Sequence, residues 1–197
     1  MIFNFINLVS FWHVTELSST NNKWHVDSIS LWLLILVIRK SSKHRRISGV
    51  KMFDELLRDE NCQTAFLLAN KSDRFLVNYL VLPKFSDSFK SKEIEFISAF
   101  CSSYERVVIG ISSPRQDELA LLLQDRQPNL DIYCLGAAIY NKPNRFIDKI
   151  GLNFLLFAVS NPKRFIKKIT LTFYALFYSI LNISEFKNRI YKFYDIY

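Results

Sequence analysis

The stretch Val107-Val108-Ile109-Gly110-Ile111, followed by Ser112-Ser113-Pro114-Arg115-Gln116-Asp117-Glu118, decides the predicted fold of this chain. Its first five residues form a continuous apolar run rich in β-branched side chains, which is typical of a strand buried on both faces of a sheet. Leu119 to Gln124 then has helical character, and Asp131 to Leu135 predicts another strand. A strand, a helix and a strand in this order predict two parallel strands joined by a helical crossover.

Shorter segments upstream continue the alternation of strands and helices. The candidates are helices at Leu31 to Ile38, Met52 to Arg58 and Glu93 to Tyr104, and a buried strand at Thr64 to Leu68. Met1 to Thr20 and residues 70 to 90 show no clear period. We therefore expect an α/β fold with a Rossmann-like, mostly parallel sheet flanked by helices.

The composition of the chain changes near Lys142. From that residue to Tyr197 there are ten Lys or Arg residues against three Asp or Glu, so this segment carries about seven of the eight net positive charges of the protein. We divide the chain into an α/β domain at 1–141 and a basic, aromatic, helical C-terminal appendage at 142–197. A basic segment favours an anionic partner, such as nucleic acid, phospholipid headgroups or a phosphorylated substrate.

The appendage contains an apolar stretch, Ile169 to Ile183, that is short for a bilayer span and interrupted by polar residues. A helix through it would carry on one face Phe165, Ile169, Phe173, Leu176 and Ile180. Basic residues cluster at the start of this helix, which favours an interfacial helix lying on an anionic membrane surface. A helix packed against the domain is the alternative.

Several other classes of protein are disfavoured. Three cysteines without a CxxC pair predict a reducing compartment and no disulfide framework, and three histidines without ligand spacing predict no metal site. The N-terminal segment lacks the positive lead and the small-residue cleavage site of a secretory signal. A nucleic-acid-binding module would suit the charge and the aromatic residues, but no recognised RNA- or DNA-binding signature is present, and we expect no nucleic-acid partner.

The turn after Val107 to Ile111 has two interpretations. Ser113 can cap the following helix, with Pro114 at its first position and Gln116 three residues after the cap, which would be a capping box and nothing more. Alternatively, free backbone N–H groups at the helix start face a diphosphate. The local residues favour both equally.

A wider pattern runs from this turn toward the C-terminus. Its blocks are Gly110 to Asp117, Cys134 to Ile139, Arg145, Gly151 to Leu155, and Asn161 to Phe165. In order and spacing they resemble the WecG/TagA/CpsF glycosyltransferases, which include the N-acetylmannosaminyltransferase of wall teichoic acid and the N-acetylmannosaminuronic acid transferase of enterobacterial common antigen. Val26 to Ile29 and Arg46 to Val50 resemble two earlier blocks of the same family more weakly.

The resemblance implies an inverting transfer, with neither metal nor cofactor, from a UDP-linked N-acetylhexosamine or its uronic acid to a polyprenyl-diphosphate-linked glycan acceptor. It implies that Asp27 is the general base, for which a helix N-cap is the alternative. The positions that it assigns to substrate binding are Asn7, Arg46, Ser113, Gln116, Gly136, Arg145 and Arg164. For the late arginines, surface or membrane solvation is the alternative.

The chain also departs from the family pattern. Ser28 replaces a glycine after the aspartate, Asp117 replaces a glutamate, and Asn153-Phe154 replaces Glu-Trp. A noncatalytic scaffold of a polysaccharide assembly complex is therefore the alternative function. The expected location is peripheral, on the cytoplasmic face of a bacterial inner membrane, and a homo-oligomer is left open.

Overall fold

The structure is a computed structural model that describes residues 1–6, 11–12, 22–26, 31, 35, 38, 47–59, 62–71, 78–82, 89–140 and 162–195. The chain forms two compact units. The first comprises Met1–Phe5, Asn21–His25 and Gly49–Lys142, and the second comprises Ile6–Thr20, Val26–Ser48 and Pro143–Tyr197. The second unit therefore contains two N-terminal segments as well as the C-terminal segment that the sequence separates near Lys142.

The first unit is built on a six-stranded, all-parallel sheet with the strand order β2-β1-β6-β5-β3-β4. The strands are β1 (Ile2–Ile6), β2 (Asn22–Val26), β3 (Thr64–Leu68), β4 (Tyr79–Val81), β5 (Arg106–Gly110) and β6 (Asp131–Cys134). The helices of this unit are α1 (Gly49–Arg58), α2 (Ser91–Cys101), α3 (Arg115–Arg126) and a 3-10 helix at Gly136–Tyr140. The predicted α/β fold with a parallel sheet flanked by helices is confirmed.

Strand β5 lies inside the sheet, hydrogen-bonded to β3 on one side and to β6 on the other. Val107, Val108 and Ile109 are fully buried, as expected for a strand covered on both faces. The strand begins and ends one residue earlier than the apolar run that predicts it. Thr64–Leu68, the strand predicted upstream, is observed with the same bounds.

The core of the first unit lies between one face of the sheet and helices α2 and α3. Helix α2 buries Ile94, Ile97 and Cys101, which recur at the spacing of one helical face. Helix α3 buries Leu119 and Leu123 in the same cluster, together with apolar side chains of β3, β5 and β6. The helix predicted at Glu93 to Tyr104 thus exists, but it begins and ends a few residues earlier.

The sequence does not predict β1, β2 or β4. In β1, the buried Asn4 interrupts the apolar pattern at the point where this residue pairs with Cys134 of β6. Strand β4 has only three residues, none of them buried. Short strands of mixed polarity carry little periodic signal, so tertiary pairing rather than local sequence defines them.

The described part of the second unit consists mainly of α4 (Pro162–Leu181) and α5 (Ile183–Asp195). The indole Nε1 of Trp12 donates a hydrogen bond to the Ser179 hydroxyl at 2.9 Å, and the Arg189 guanidinium lies 4.9 Å from the centre of the Trp12 ring. The ring of Phe11 meets that of Phe186 edge-on at 5.1 Å between centroids. These contacts hold the segment at 11–12 against one side of both helices.

The other side of α4 is exposed and apolar. Its outward residues include Ile166, Phe173, Tyr174, Phe177, Ile180 and Leu181. The apolar face predicted from the sequence overlaps this surface only in part. Phe173 and Ile180 of that face are exposed, whereas Phe165 and Leu176 are partly buried. Among the described residues no single helix is long and apolar enough to cross a membrane, and only the pair Phe165–Leu181 and Ile183–Tyr191, bent by 94°, meets that criterion together.

Candidate functional site

The strand order creates a topological switch point between β3 and β5. From β3 the chain passes to β4 on one side of the pair, and from β5 it passes to β6 on the other side. The loops that leave the carboxyl ends of two such strands diverge, and the crevice between them is where open α/β sheets bind ligands. The carboxyl edge of the first unit, beside Leu68 and Gly110, is therefore the candidate site.

The turn after β5 enters α3 differently from the predicted capping box. Helix α3 begins at Arg115, and its cap position, Pro114, provides no side-chain hydrogen bond. The Ser113 hydroxyl instead donates to the Asp117 carboxylate at 2.6 Å. The prediction that Ser113 caps the helix is wrong, because Pro114 holds the cap position and no side chain caps a backbone N–H of the first turn there. The Ser113-Pro114 peptide bond is cis.

The backbone amides at the start of α3 are also occupied. The N–H of Gln116 donates to the Ser112 carbonyl at 3.3 Å, and the N–H groups of Asp117 and Glu118 donate to the Pro114 carbonyl. The prediction that free N–H groups of this turn face a diphosphate does not hold for these three amides. A diphosphate at this edge therefore needs other hydrogen-bond donors.

Gln116 is the clearest candidate binding residue in the described part of the site. Its side chain is 6% exposed, and its Oε1 atom is buried with no hydrogen-bond partner among the described residues. A buried acceptor of this kind costs stability unless a ligand or water bonds to it. Gln116 therefore has the property expected of a residue that accepts a hydrogen bond from a ligand hydroxyl or N–H group.

Gly136, another predicted binding position, lies close to the Gln116 side chain. The backbone at Gly136 has φ +54°, which favours glycine. A Cβ atom at this position would lie 3.3 Å from Gln116 Oε1 and 3.3 Å from the Ile111 carbonyl oxygen. Glycine thus allows the chain after β6 to approach the turn after β5 closely.

Tyr140 connects the segment after β6 with the loop after β3. It ends the 3-10 helix after β6, and its hydroxyl oxygen accepts hydrogen bonds from the N–H groups of Ala69 and Asn70, at 2.9 Å and 3.2 Å. These two residues follow β3 directly. The 3-10 helix and the Tyr140 side chain at its end therefore link the segment after β6 to the loop after β3, and β5 lies between these two strands in the sheet.

The structure brings some of the predicted residues together and does not describe others. Gln116 and Gly136 are in proximity, and Ser113 lies on the same turn as Gln116. The proposed base Asp27 and the predicted binding residues Asn7, Arg46 and Arg145 lie outside the described residues. The backbone at Arg164 belongs to α4, but its side chain lies outside the described part.

Sequence reasoning missed two residues of the site, Asp117 and Tyr140. Asp117 is 5% exposed and appears in the sequence only as a departure from the family's glutamate. A carboxylate four residues after Ser113 has the spacing at which side chains meet across one helical turn, so the sequence did contain a signal for this contact. Tyr140 carries no comparable signal, because its partner amides are 71 and 70 residues away in the chain.

The cysteines and acidic residues of the described part do not form a second site. No group of three or more His, Cys, Asp or Glu side chains there could hold a metal ion. Burial raises the pKa of Cys101 to about 12, and burial, with a smaller contribution from the charge of Asp117, raises the pKa of Cys134 well above its ordinary value. Both thiols are therefore protonated at neutral pH and unsuited to nucleophilic attack.

Comparison with known proteins adds no assignment. The chain matches no protein family, no curated protein and no solved structure.

Proposed function

We propose that this protein is a glycosyltransferase that moves an N-acetylhexosamine, or its uronic acid, from a UDP-linked donor to a polyprenyl-diphosphate-linked glycan acceptor. The observation that carries the proposal is the buried Oε1 of Gln116, which has no hydrogen-bond partner among the described residues and lies on the helix that follows β5 at the switch point of a parallel sheet. Such a crevice is the usual ligand position in this architecture. The ordered sequence blocks that resemble the WecG/TagA/CpsF glycosyltransferases supply the choice of reaction.

Gln116 would bind the nucleoside part of the donor. Its free Oε1 needs a hydrogen-bond donor, and a nucleoside offers ribose hydroxyls and the N3–H group of uracil, whereas a fully ionised diphosphate offers none. Gly136 allows the segment after β6 to lie close to the Gln116 side chain, and this contact would position the side-chain amide. Ser113 would act through Asp117, since its hydroxyl proton is directed to that carboxylate.

The chemistry of transfer would depend on a base and on cationic groups. In an inverting reaction one carboxylate removes the proton of the acceptor hydroxyl as that oxygen attacks the anomeric carbon, and UDP leaves from the opposite face. Asp27 is the proposed base. Arg145 and Arg164, with Arg46 and Asn7, are proposed to bind substrate and to balance the charge of the departing diphosphate.

The exposed face of α4 supports a membrane-held acceptor. Phe173 and Tyr174 are 67% and 69% exposed, and the opposite side of the helix buries Ala175 and Ser179. Lys163 and Lys167 are exposed near the helix start. An apolar face beside cationic side chains is the pattern of a helix that lies in the interface of an anionic membrane. The protein would then act peripherally, on the cytoplasmic face of a bacterial inner membrane.

A donor screen tests the proposal. Purified protein would be incubated with individual UDP-sugars and with lipid acceptors extracted from bacterial membranes, and transfer would be followed by mass spectrometry of the lipid fraction. We expect transfer from at least one UDP-N-acetylhexosamine or its uronic acid, and its loss in Asp27→Asn. Binding of UDP without transfer from any donor would favour the noncatalytic scaffold, and no affinity for UDP would refute both.

A further inference from the structure

The hydroxyl of Tyr140 is held at the switch point by an unusual pair of donors. It accepts two hydrogen bonds from consecutive backbone amides, those of Ala69 and Asn70. Consecutive N–H groups that converge on one oxygen form a concave anion-binding arrangement in many proteins. Here a neutral phenol oxygen occupies that position.

Within the described part of the chain, the proton of the Tyr140 hydroxyl has no acceptor. An oxygen that accepts two N–H hydrogen bonds has its lone pairs engaged, so a third partner must be a hydrogen-bond acceptor. No residue in the described part of the chain accepts this proton. The two amides also polarise the hydroxyl and make it a better donor, because hydrogen bonds in a chain strengthen one another.

The position of Tyr140 indicates which hydrogen-bond acceptor its hydroxyl could meet. Its hydroxyl lies at the loop that follows β3, and β3 is the neighbour in the sheet of β5, whose carboxyl end leads to Gln116. The amides of Gln116, Asp117 and Glu118 at the start of α3 are bonded to backbone carbonyls. A diphosphate in this crevice would therefore meet the Tyr140 hydroxyl as a donor that is already oriented.

We infer that Tyr140 is a binding residue whose hydroxyl donates a hydrogen bond to a phosphate oxygen of the nucleoside diphosphate. The inference rests on the proposed function, because it takes UDP as the ligand. It adds a residue that the sequence pattern does not assign, and it adds a role: a neutral donor that is fixed before the ligand arrives and loses little freedom on binding. Hydrogen bonds to an ionised oxygen are the stronger kind.

The test compares UDP with uridine in calorimetric titrations of wild type, Tyr140→Phe and a control, Tyr104→Phe. Tyr104 also loses a hydroxyl hydrogen bond on substitution, the one that it donates to Asn78 at 3.3 Å, but this bond lies at the opposite, amino edge of the sheet. We expect Tyr140→Phe to weaken UDP binding by about tenfold or more, as for loss of a charge-assisted hydrogen bond, and to leave uridine binding unchanged. Tyr104→Phe should bind both ligands as the wild type does.

Three results would overturn the inference alone and leave the proposed function in place. Unchanged UDP affinity with a lower melting temperature would show that the hydroxyl is only structural. Tighter UDP binding by Tyr140→Phe would show that the hydroxyl competes with the phosphate for the two amides, and equal losses for UDP and uridine would place the contact on the nucleoside. A wild type that binds no UDP would refute the proposed function together with the inference.

A second measurement covers the case in which Tyr140→Phe does not fold. A 3-fluorotyrosine incorporated at position 140 retains the hydroxyl and both amide hydrogen bonds. Its fluorine resonance should shift when UDP is added and stay in place when uridine is added. A resonance that does not respond to saturating UDP would refute the contact.

Discussion

The Ser113 hydroxyl donates a 2.6 Å hydrogen bond to the carboxylate of Asp117, across one turn at the start of α3. Asp117 is 5% exposed, so this hydroxyl supports a carboxylate that is largely removed from water. Burying a carboxylate is costly unless hydrogen bonds compensate for its lost hydration. The pair therefore shapes the turn that presents Gln116 to the candidate site.

Replacing Ser113 with alanine should destabilise the protein. The loss of a hydrogen bond to a buried carboxylate corresponds to about 1–3 kcal/mol of unfolding free energy. Urea denaturation followed by circular dichroism measures this change. Ser112→Ala is the control, because the Ser112 side chain is exposed and its backbone carbonyl still accepts the Gln116 N–H. Equal stabilities of the two variants would show that the Ser113 hydroxyl does not support Asp117.

Gly110 should not tolerate alanine, because the end of β5 is in close contact with the 3-10 helix. A Cβ atom at this position would clash with the Cδ1 atom of Ile139, which is fully buried. We expect Gly110→Ala to cost about 1–3 kcal/mol of unfolding free energy, as for overpacking of a core. Ile139→Val removes the clashing methyl group, so the double variant should be more stable than the sum of the single effects. Strict additivity would contradict this contact.

The outward face of α4 should bind anionic vesicles. Phe173 and Phe177 are both more than 60% exposed, so changing both to serine should remove binding to phosphatidylglycerol vesicles at little cost in stability. Cosedimentation at two salt concentrations measures this, and high salt should weaken wild-type binding because Lys163 and Lys167 contribute electrostatically. Phe96→Ser, at an exposed phenylalanine of α2, is the control. Retention of vesicle binding by the double variant would exclude this face.

Cys62 should react slowly with iodoacetamide in the native protein. Partial burial raises the pKa of this thiol, and the hydrogen bond that it donates to Glu105 at 2.6 Å raises the pKa further. A raised pKa leaves less thiolate at a given pH, so Glu105→Gln should lower the pKa and increase the labelling rate at pH 8. Peptide mass spectrometry over a pH series measures the rate. A rate that is unchanged in the variant would contradict the contact, and Cys101 and Cys134 provide the unreactive controls because both are buried.

The centre of the sheet was predictable because its own residues show the pattern of buried strands and helices without reference to distant parts of the chain. Val107 to Ile109 are apolar on both faces of the strand, and α2 repeats buried residues at helical spacing. The strands outside this centre are different, since β1 contains a buried asparagine and the edge strand β4 has only three residues. Their pairing depends on neighbours that are distant in the chain, which local propensity does not report.

The candidate site was predictable only in part, for a similar reason. The pattern of Gln116 and Gly136 was visible as sequence blocks, and the structure places these two residues in proximity. The prediction that a serine caps α3 was wrong. A serine that caps a helix and a serine that bonds to a carboxylate four residues later stand at the same sequence position, so the sequence alone does not distinguish them. The contact of Tyr140 with Ala69 joins two loops that only the order of the strands brings together.

Calorimetric titration of UDP into wild type, Gln116→Leu and Gln124→Leu tests the central claim most directly. Both glutamines are buried on α3, and in the part of the chain that the structure describes neither Oε1 has a hydrogen-bond partner. Gln124, however, lies at the far end of the helix, where its Nε2 donates to the Pro128 carbonyl at 2.7 Å. We predict saturable UDP binding by wild type, a loss of about tenfold or more in Gln116→Leu, and no change in Gln124→Leu. Absence of saturable binding by wild type, or equal affinities in wild type and Gln116→Leu, would contradict a nucleotide site at the carboxyl edge of this sheet.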